Sequence, residues 1–140
     1  MEQKNIIVEK SLDFSVEIIK FCEKLETSKK FVVARQLLRS GTSIGANVFE
    51  AQHAESRSDF IHKMKIAIKE ANETYYWLLL CERSESYPTS FLKESSEELI
   101  RIISKIILSS KNKFGKTLFL IGAVISTFLV YKFRAVWVGW

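Results

Sequence analysis

Apolar side chains return every three or four positions through almost all of residues 8–111, and a single proline, Pro88, interrupts them. That period lines one side of an α-helix, whereas a half-buried strand needs strict alternation, so the pattern predicts an all-α fold and excludes a sheet protein. The first segment, Val8 to Leu25, carries an additional constraint. At about 100° per residue, Val8, Leu12, Phe14, Val16, Ile18, Ile19, Phe21, Cys22 and Leu25 fill an arc of about 200°. Glu9, Lys10, Asp13, Glu17, Lys20 and Lys24 crowd into roughly the remaining 100°, with Glu23 at the edge. A helix packed inside one small bundle needs a stripe only a little over 100° wide. The surplus calls for a further cover, and a second copy of the chain is the simplest one.

Three more helices follow. The second is expected to start after Thr27 or Ser28 as N-cap and to reach His53. Val33, Leu37, Gly41, Ile44, Val48 and Ala51 keep one face across Ser40-Gly41-Thr42-Ser43, so the spacing predicts a kinked but continuous helix. Gly41 and Gly45 would let a neighbouring backbone approach closely. Beside that face runs a polar, nearly uncharged stripe: Gln36, Ser40, Ser43, Asn47 and Glu50. Amides and hydroxyls in that arrangement suit a partly buried seam, and with Trp77 they are assigned to an oligomer interface; an ordinary exposed polar side is the alternative.

The third helix is expected to open with Ser56 as cap and Asp59 in its first turn, and to reach Arg83. Phe60, Met64, Ala67, Ala71, Tyr75 and Leu78 form its core face, while Tyr76, Trp77 and Leu80 point elsewhere. Tyr87-Pro88-Thr89-Ser90 breaks the chain, and Leu92, Leu99, Ile102, Ile103, Ile106 and Ile107 repeat through a fourth helix to Lys111. Four amphipathic helices joined by short turns predict an up-down-up-down antiparallel four-helix bundle over residues 1–113, followed by an apolar extension over residues 114–140.

The formal charge of the 140 residues is +5, but Lys116, Lys132 and Arg134 belong to the extension, which holds no acid. Residues 1–113 carry 18 Lys and Arg against 16 Asp and Glu, too even a balance to mark a nucleic-acid binder by itself. Local clusters are more informative. His62, Lys65, Lys69 and Tyr76 fall within about 60° of one another on the third helix, and Lys29, Arg35, Arg39 and His53 lie along the outer side of the second. These are the candidate nucleic-acid contacts, with His53 at the margin; a solvated helical surface is the alternative.

Chemistry is poorly represented. Glu50 with His53 and Asp59 with His62 have the spacing of a bundle metal site, but both pairs sit at one hairpin tip and Glu50 and His53 point away from the apolar face, so no metal is expected. Cys22 and Cys81 lie inside apolar helical patterns and read as buried free thiols. The glycines follow no phosphate-loop pattern. No cofactor and no catalytic activity are expected.

The start, Met1 to Asn5, lacks the basic and apolar run of a signal peptide, which predicts a cytoplasmic protein. At the other end Thr117 to Tyr131 is uncharged and flanked by Lys111, Lys113, Lys116, Lys132 and Arg134. As a helix it would span about 22 Å against a hydrocarbon core of about 30 Å. Trp137 and Trp140 could anchor it at an interface. Two readings stay open: a membrane contact through residues 117–131, or an apolar extension that folds back on its own bundle or a neighbour, read-through sequence included.

The run Gln36-x-x-Arg39-Ser40-x-Thr42-Ser43-Ile44-x-Ala46-Asn47-x-x-Glu50-Ala51, then Ser56-x-x-Asp59-Phe60, then Ala67-x-Lys69-Glu70-Ala71-x-Glu73-Thr74-x-Tyr76-Trp77, resembles the bacterial four helix bundle proteins encoded in intervening sequences of 23S ribosomal RNA genes. The resemblance covers about residues 5–112, and the family pattern usually stops near the end of the fourth helix. It implies a cytoplasmic homopentamer of up-down bundles. Relatives include the accessory variability protein of diversity-generating retroelements, which binds nucleic acid and associates with a reverse transcriptase, so RNA or DNA and such a protein partner are expected here. The resulting expectation is a non-catalytic homopentameric adaptor or scaffold associated with nucleic acid. The alternative is a membrane-tethered protein-interaction module without nucleic-acid binding.

Overall fold

The computed structural model describes residues 5–85 and 88–111, which form four helices: α1 (Ile6–Thr27), α2 (Phe31–Ala51), α3 (Arg57–Glu85) and α4 (residues 90–111). The chain divides into two units, Met1–Ile107 and Leu108–Trp140. The first is the bundle; of the second only residues 108–111 are described, so the expectations placed on Thr117 to Tyr131 fall outside the described residues. Among the described residues no helix is long and apolar enough to cross a membrane.

Cross-helix pairs fix neighbours and directions. Asn5 Nδ2 donates to Gln52 Oε1 at 2.7 Å, and the Cys22 thiol donates to the Ala34 carbonyl at 3.3 Å, so α1 and α2 run antiparallel. Lys63 pairs with Glu50 at 2.6 Å and Thr74 donates to Ser40 Oγ at 3.0 Å, which does the same for α2 and α3. Ser96 donates to the Ala71 carbonyl at 3.2 Å and Lys93 meets Glu82 at 2.5 Å, so α3 and α4 are antiparallel too, and Lys10 meets Glu98 at 2.9 Å between α1 and α4. The four helices thus stand at the corners of a square in chain order, each antiparallel to the next: the up-down-up-down bundle that the apolar repeat predicts.

Ile18, Leu25, Leu37, Ile44, Val48, Met64, Leu78, Leu99 and Ile103 fill the centre and are fully buried. Apolar burial of this kind stabilises by about 25 cal/mol per Å² removed from water. α2 runs unbroken through Ser40 to Ser43, where the glycines set its distance from α1. A Cβ on Gly41 would lie 2.8 Å from Ile18 Cγ2, and one on Gly45 would lie 3.2 Å from the Ser11 carbonyl oxygen. Both cysteines are buried thiols outside any disulfide among the described residues, and burial pushes the Cys22 thiol up to about 12.

The α1–α2 turn departs from expectation. α1 continues through Thr27, so neither Thr27 nor Ser28 caps α2; Ser28 closes α1 and Lys30 precedes α2 without a side-chain cap. Lys29 takes φ 60, its N–H donates to the Glu26 carbonyl at 2.8 Å, and the Lys30 N–H reaches back to Leu25 at 2.9 Å. This is the left-handed C-terminal cap usually built on glycine or asparagine, and a lysine there gives no local signal. The start of α3 follows expectation: the Asp59 N–H donates to Ser56 Oγ at 3.1 Å. α3 then runs two residues past Arg83.

Candidate functional site

Core packing uses only part of the wide apolar arc of α1. Phe14, Ile18, Phe21, Cys22 and Leu25 face inward, whereas Leu12 and Ile19 remain 59% and 41% exposed, with Val16 exposed between them. α2 brings Leu38 and Phe49 to the same side of the bundle, 37% and 59% exposed. Between the two helices lies a groove of about 480 Å³ lined by Val8, Ser11, Leu12, Ser15, Thr42, Gly45, Ala46 and Phe49, with Glu9 at its edge. Its floor is low at Gly45, which contributes no side chain. The α2 half of this face was not anticipated from sequence, although Leu38, Thr42, Gly45 and Phe49 share helical spacing.

The stripe assigned to an oligomer interface lies on the other side of α2. Ser40 is fully buried; it accepts from Thr74 and donates to the Gln36 carbonyl at 3.0 Å, so it belongs to the α2–α3 seam of its own chain. Ser43 donates to the Arg39 carbonyl at 2.7 Å, and Asn47 Nδ2 to the Ser43 carbonyl at 2.8 Å; both side chains are half-buried, as is Gln36. Glu50 is exposed and paired with Lys63, whose ammonium it holds above the usual lysine range. Trp77 is half-buried and its Nε1 donates to Glu73 at 3.4 Å. The hydrogen bonds of this stripe are made within one chain.

The candidate nucleic-acid residues separate into three groups. His62, Lys65, Lys69 and Tyr76 line the outer side of α3, all exposed, with Asn72 and Arg83 exposed on the same side. The Tyr76 ring meets Trp77 edge-on at 5.7 Å and still leaves 56% of the residue open. Arg39 is exposed but committed: its guanidinium bonds Glu73 and lies 3.7 Å from Glu70 Oε2, a buried oxygen that accepts no hydrogen bond from the described residues. The Arg39 bond holds the Glu73 carboxyl below the usual range, helped by Trp77 and by the charge of Lys69. Arg39 and Lys69 are therefore partly balanced by acids. Lys29 sits in the α1–α2 turn and Arg35 lies one turn from Leu38 on the apolar face, so neither joins the α3 stripe. Among the described residues no ion pair engages Lys29, Arg35 or Lys65.

His53 is exposed in the α2–α3 turn with its ring 5.6 Å from Phe49, and Glu50 is taken by Lys63. Among the described residues no group of three or more His, Cys, Asp or Glu side chains is arranged to hold a metal ion.

The family model described as 23S rRNA-intervening sequence protein matches residues 3–108, from before α1 to near the end of α4. The chain belongs to this family. A crystal structure at 1.70 Å resolution of a protein with unknown function from the S23 ribosomal protein family of Bacteroides thetaiotaomicron is 46% identical to it. The similarity covers 72% of this chain and 97% of that one, with a TM-score of 0.70. No curated protein matches the chain. Family membership thus accounts for the bundle, and residues beyond 108 lie outside the matched stretch.

Proposed function

We propose that this member of the intervening-sequence protein family is a non-catalytic, self-associating bundle that acts in the cytoplasm as an adaptor on nucleic acid. The observation that carries the proposal is the apolar α1–α2 face, where Leu12, Val16, Ile19, Leu38 and Phe49 stand exposed together. Contiguous apolar patches of this kind mark association surfaces. Five copies is the number that the resemblance to the family implies. The α3 stripe of His62, Lys65, Lys69 and Tyr76 supports the nucleic-acid part, because it presents cations and an aromatic ring on one exposed side, with Glu73 offsetting only Lys69. One copy offers few phosphate contacts; an assembly multiplies them, and counterion release scales with their number.

Sedimentation of the purified chain at micromolar concentration tests the assembly, with a mass of several chains expected. Retention on immobilised RNA and DNA tests the second part: binding should fall steeply as salt rises, and Lys65→Glu with Lys69→Glu should weaken it about ten-fold or more. A single-chain mass, or no retention on either polymer at low salt, would remove the corresponding half of the proposal.

A further inference from the structure

His62, Lys69, Tyr76 and Arg83 follow one another along α3 at intervals of seven residues. Seven residues make about two helical turns, so these side chains leave one side of the helix at steps of about 10 Å, with Lys65 and Asn72 between them. All six are exposed. The aromatic ring thus has a cation about 10 Å away in each direction, Lys69 toward one end of α3 and Arg83 toward the other. Glu73 stands at the edge of this side and offsets Lys69, but it is itself bonded by Arg39. Among the described residues no ion pair engages Lys65 or Arg83. The ring is also held in place. Trp77 meets it edge-on at 5.7 Å and is tied by its own Nε1 to Glu73 at 3.4 Å, yet 56% of Tyr76 stays open.

We propose that the ligand of this side of α3 is an unpaired strand of nucleic acid, laid along the helix with phosphates on Lys69 and Arg83 and a base stacked on Tyr76 between them. This assignment rests on the nucleic-acid reading above and names the form of the polymer. Cations alone do not choose between a duplex and a single strand, since both present phosphates. The ring does. In a duplex each base face is covered by the next base pair, and a side chain reaches only groove edges and backbone. An unpaired strand offers the face of every base, and stacking such faces on exposed aromatic side chains beside cations is how single strands are held with little regard to sequence. A tyrosine could still serve a duplex by donating its hydroxyl to a phosphate. That contact needs the hydroxyl, whereas stacking needs the ring, so the two uses of Tyr76 separate cleanly.

Fluorescence anisotropy of labelled oligothymidine and oligouridine, each alone and paired with its complement, tests the assignment on the full chain. At equal salt the unpaired strands should bind about ten-fold tighter than the duplexes. Tyr76→Ala should lower affinity for the unpaired strands about ten-fold and leave affinity for the duplexes as it was, while Tyr76→Phe should keep the single-strand affinity. Because Tyr76 is mostly open to solvent, both variants should melt with the unmodified chain. Equal affinity for the two forms, an unchanged single-strand affinity in Tyr76→Ala, or a loss in Tyr76→Phe as large as in Tyr76→Ala overturns the single-strand assignment and leaves the broader nucleic-acid reading standing. No binding of either form at low salt removes both.

Discussion

Toward α3, α2 presents polar and charged side chains that find partners in their own chain: Ser40 with Thr74, Arg39 with Glu73, Glu50 with Lys63. Toward α1, the same helix uses two glycines to come close, then leaves Leu38 and Phe49 in water beside Leu12 and Ile19. A seam whose donors and acceptors are mostly matched, Glu70 Oε2 excepted, gains little from a further partner, because a hydrogen bond exchanged with water is worth only about 1 kcal/mol. An exposed apolar face gains from any cover of fitting shape. One helix therefore serves two purposes: its polar flank fixes the bundle and its apolar flank invites association.

The largest effect should come from the interior edge of the apolar side. Gly41→Val would drive a side chain into fully buried Ile18, and overpacking of this kind should lower unfolding free energy by about 3 kcal/mol in urea titrations. An unchanged midpoint would mean that α1 and α2 are further apart than described. Next, Leu12→Asp combined with Phe49→Asp should reduce the sedimenting mass to that of one chain while leaving its own stability within about 0.5 kcal/mol. A comparable loss of monomer stability would show these side chains to be core after all.

Ser40→Ala should behave in the opposite way, with a stability loss of about 1 kcal/mol and unchanged oligomer mass. A fall in mass would move the α2–α3 seam into the association surface. The smallest effect concerns Glu73. Its carboxyl is held low in the folded chain by Arg39, so the pair stabilises at neutral pH, and that contribution disappears as pH falls below the ordinary carboxylate range of about 4 and through the lower folded value. Arg39→Ala should flatten this part of the acid limb of the stability profile; a profile identical to that of the unmodified chain would mean that the pair contributes nothing in solution, as many exposed pairs do.

The bundle was legible because its determinants are local. The three-to-four repeat, the Ser56 cap and the Pro88 break act within a turn or two of themselves, and the width of the α1 arc follows from angles along one helix. The α1–α2 turn was not legible, since Lys29 adopts a left-handed backbone that its side chain does not favour and that surrounding contacts hold. Nor was the commitment of Arg39, which depends on Glu73 across 34 positions of sequence. The polar stripe was recognised as a seam in need of hydrogen bonds, but spacing alone cannot say whether the other wall is α3 or another molecule. For Ser40 it is Thr74 of α3.

Gly45 lies at once against the backbone of α1 and in the floor of the outer groove. A single methyl there would wedge the hairpin apart and raise the floor under any incoming ridge, so in the proposed assembly tightness within a subunit and fit between subunits would be adjusted at the same position. Substitutions that loosen the hairpin should for that reason also change how copies seat on one another, even when every outward-facing side chain is left as it was.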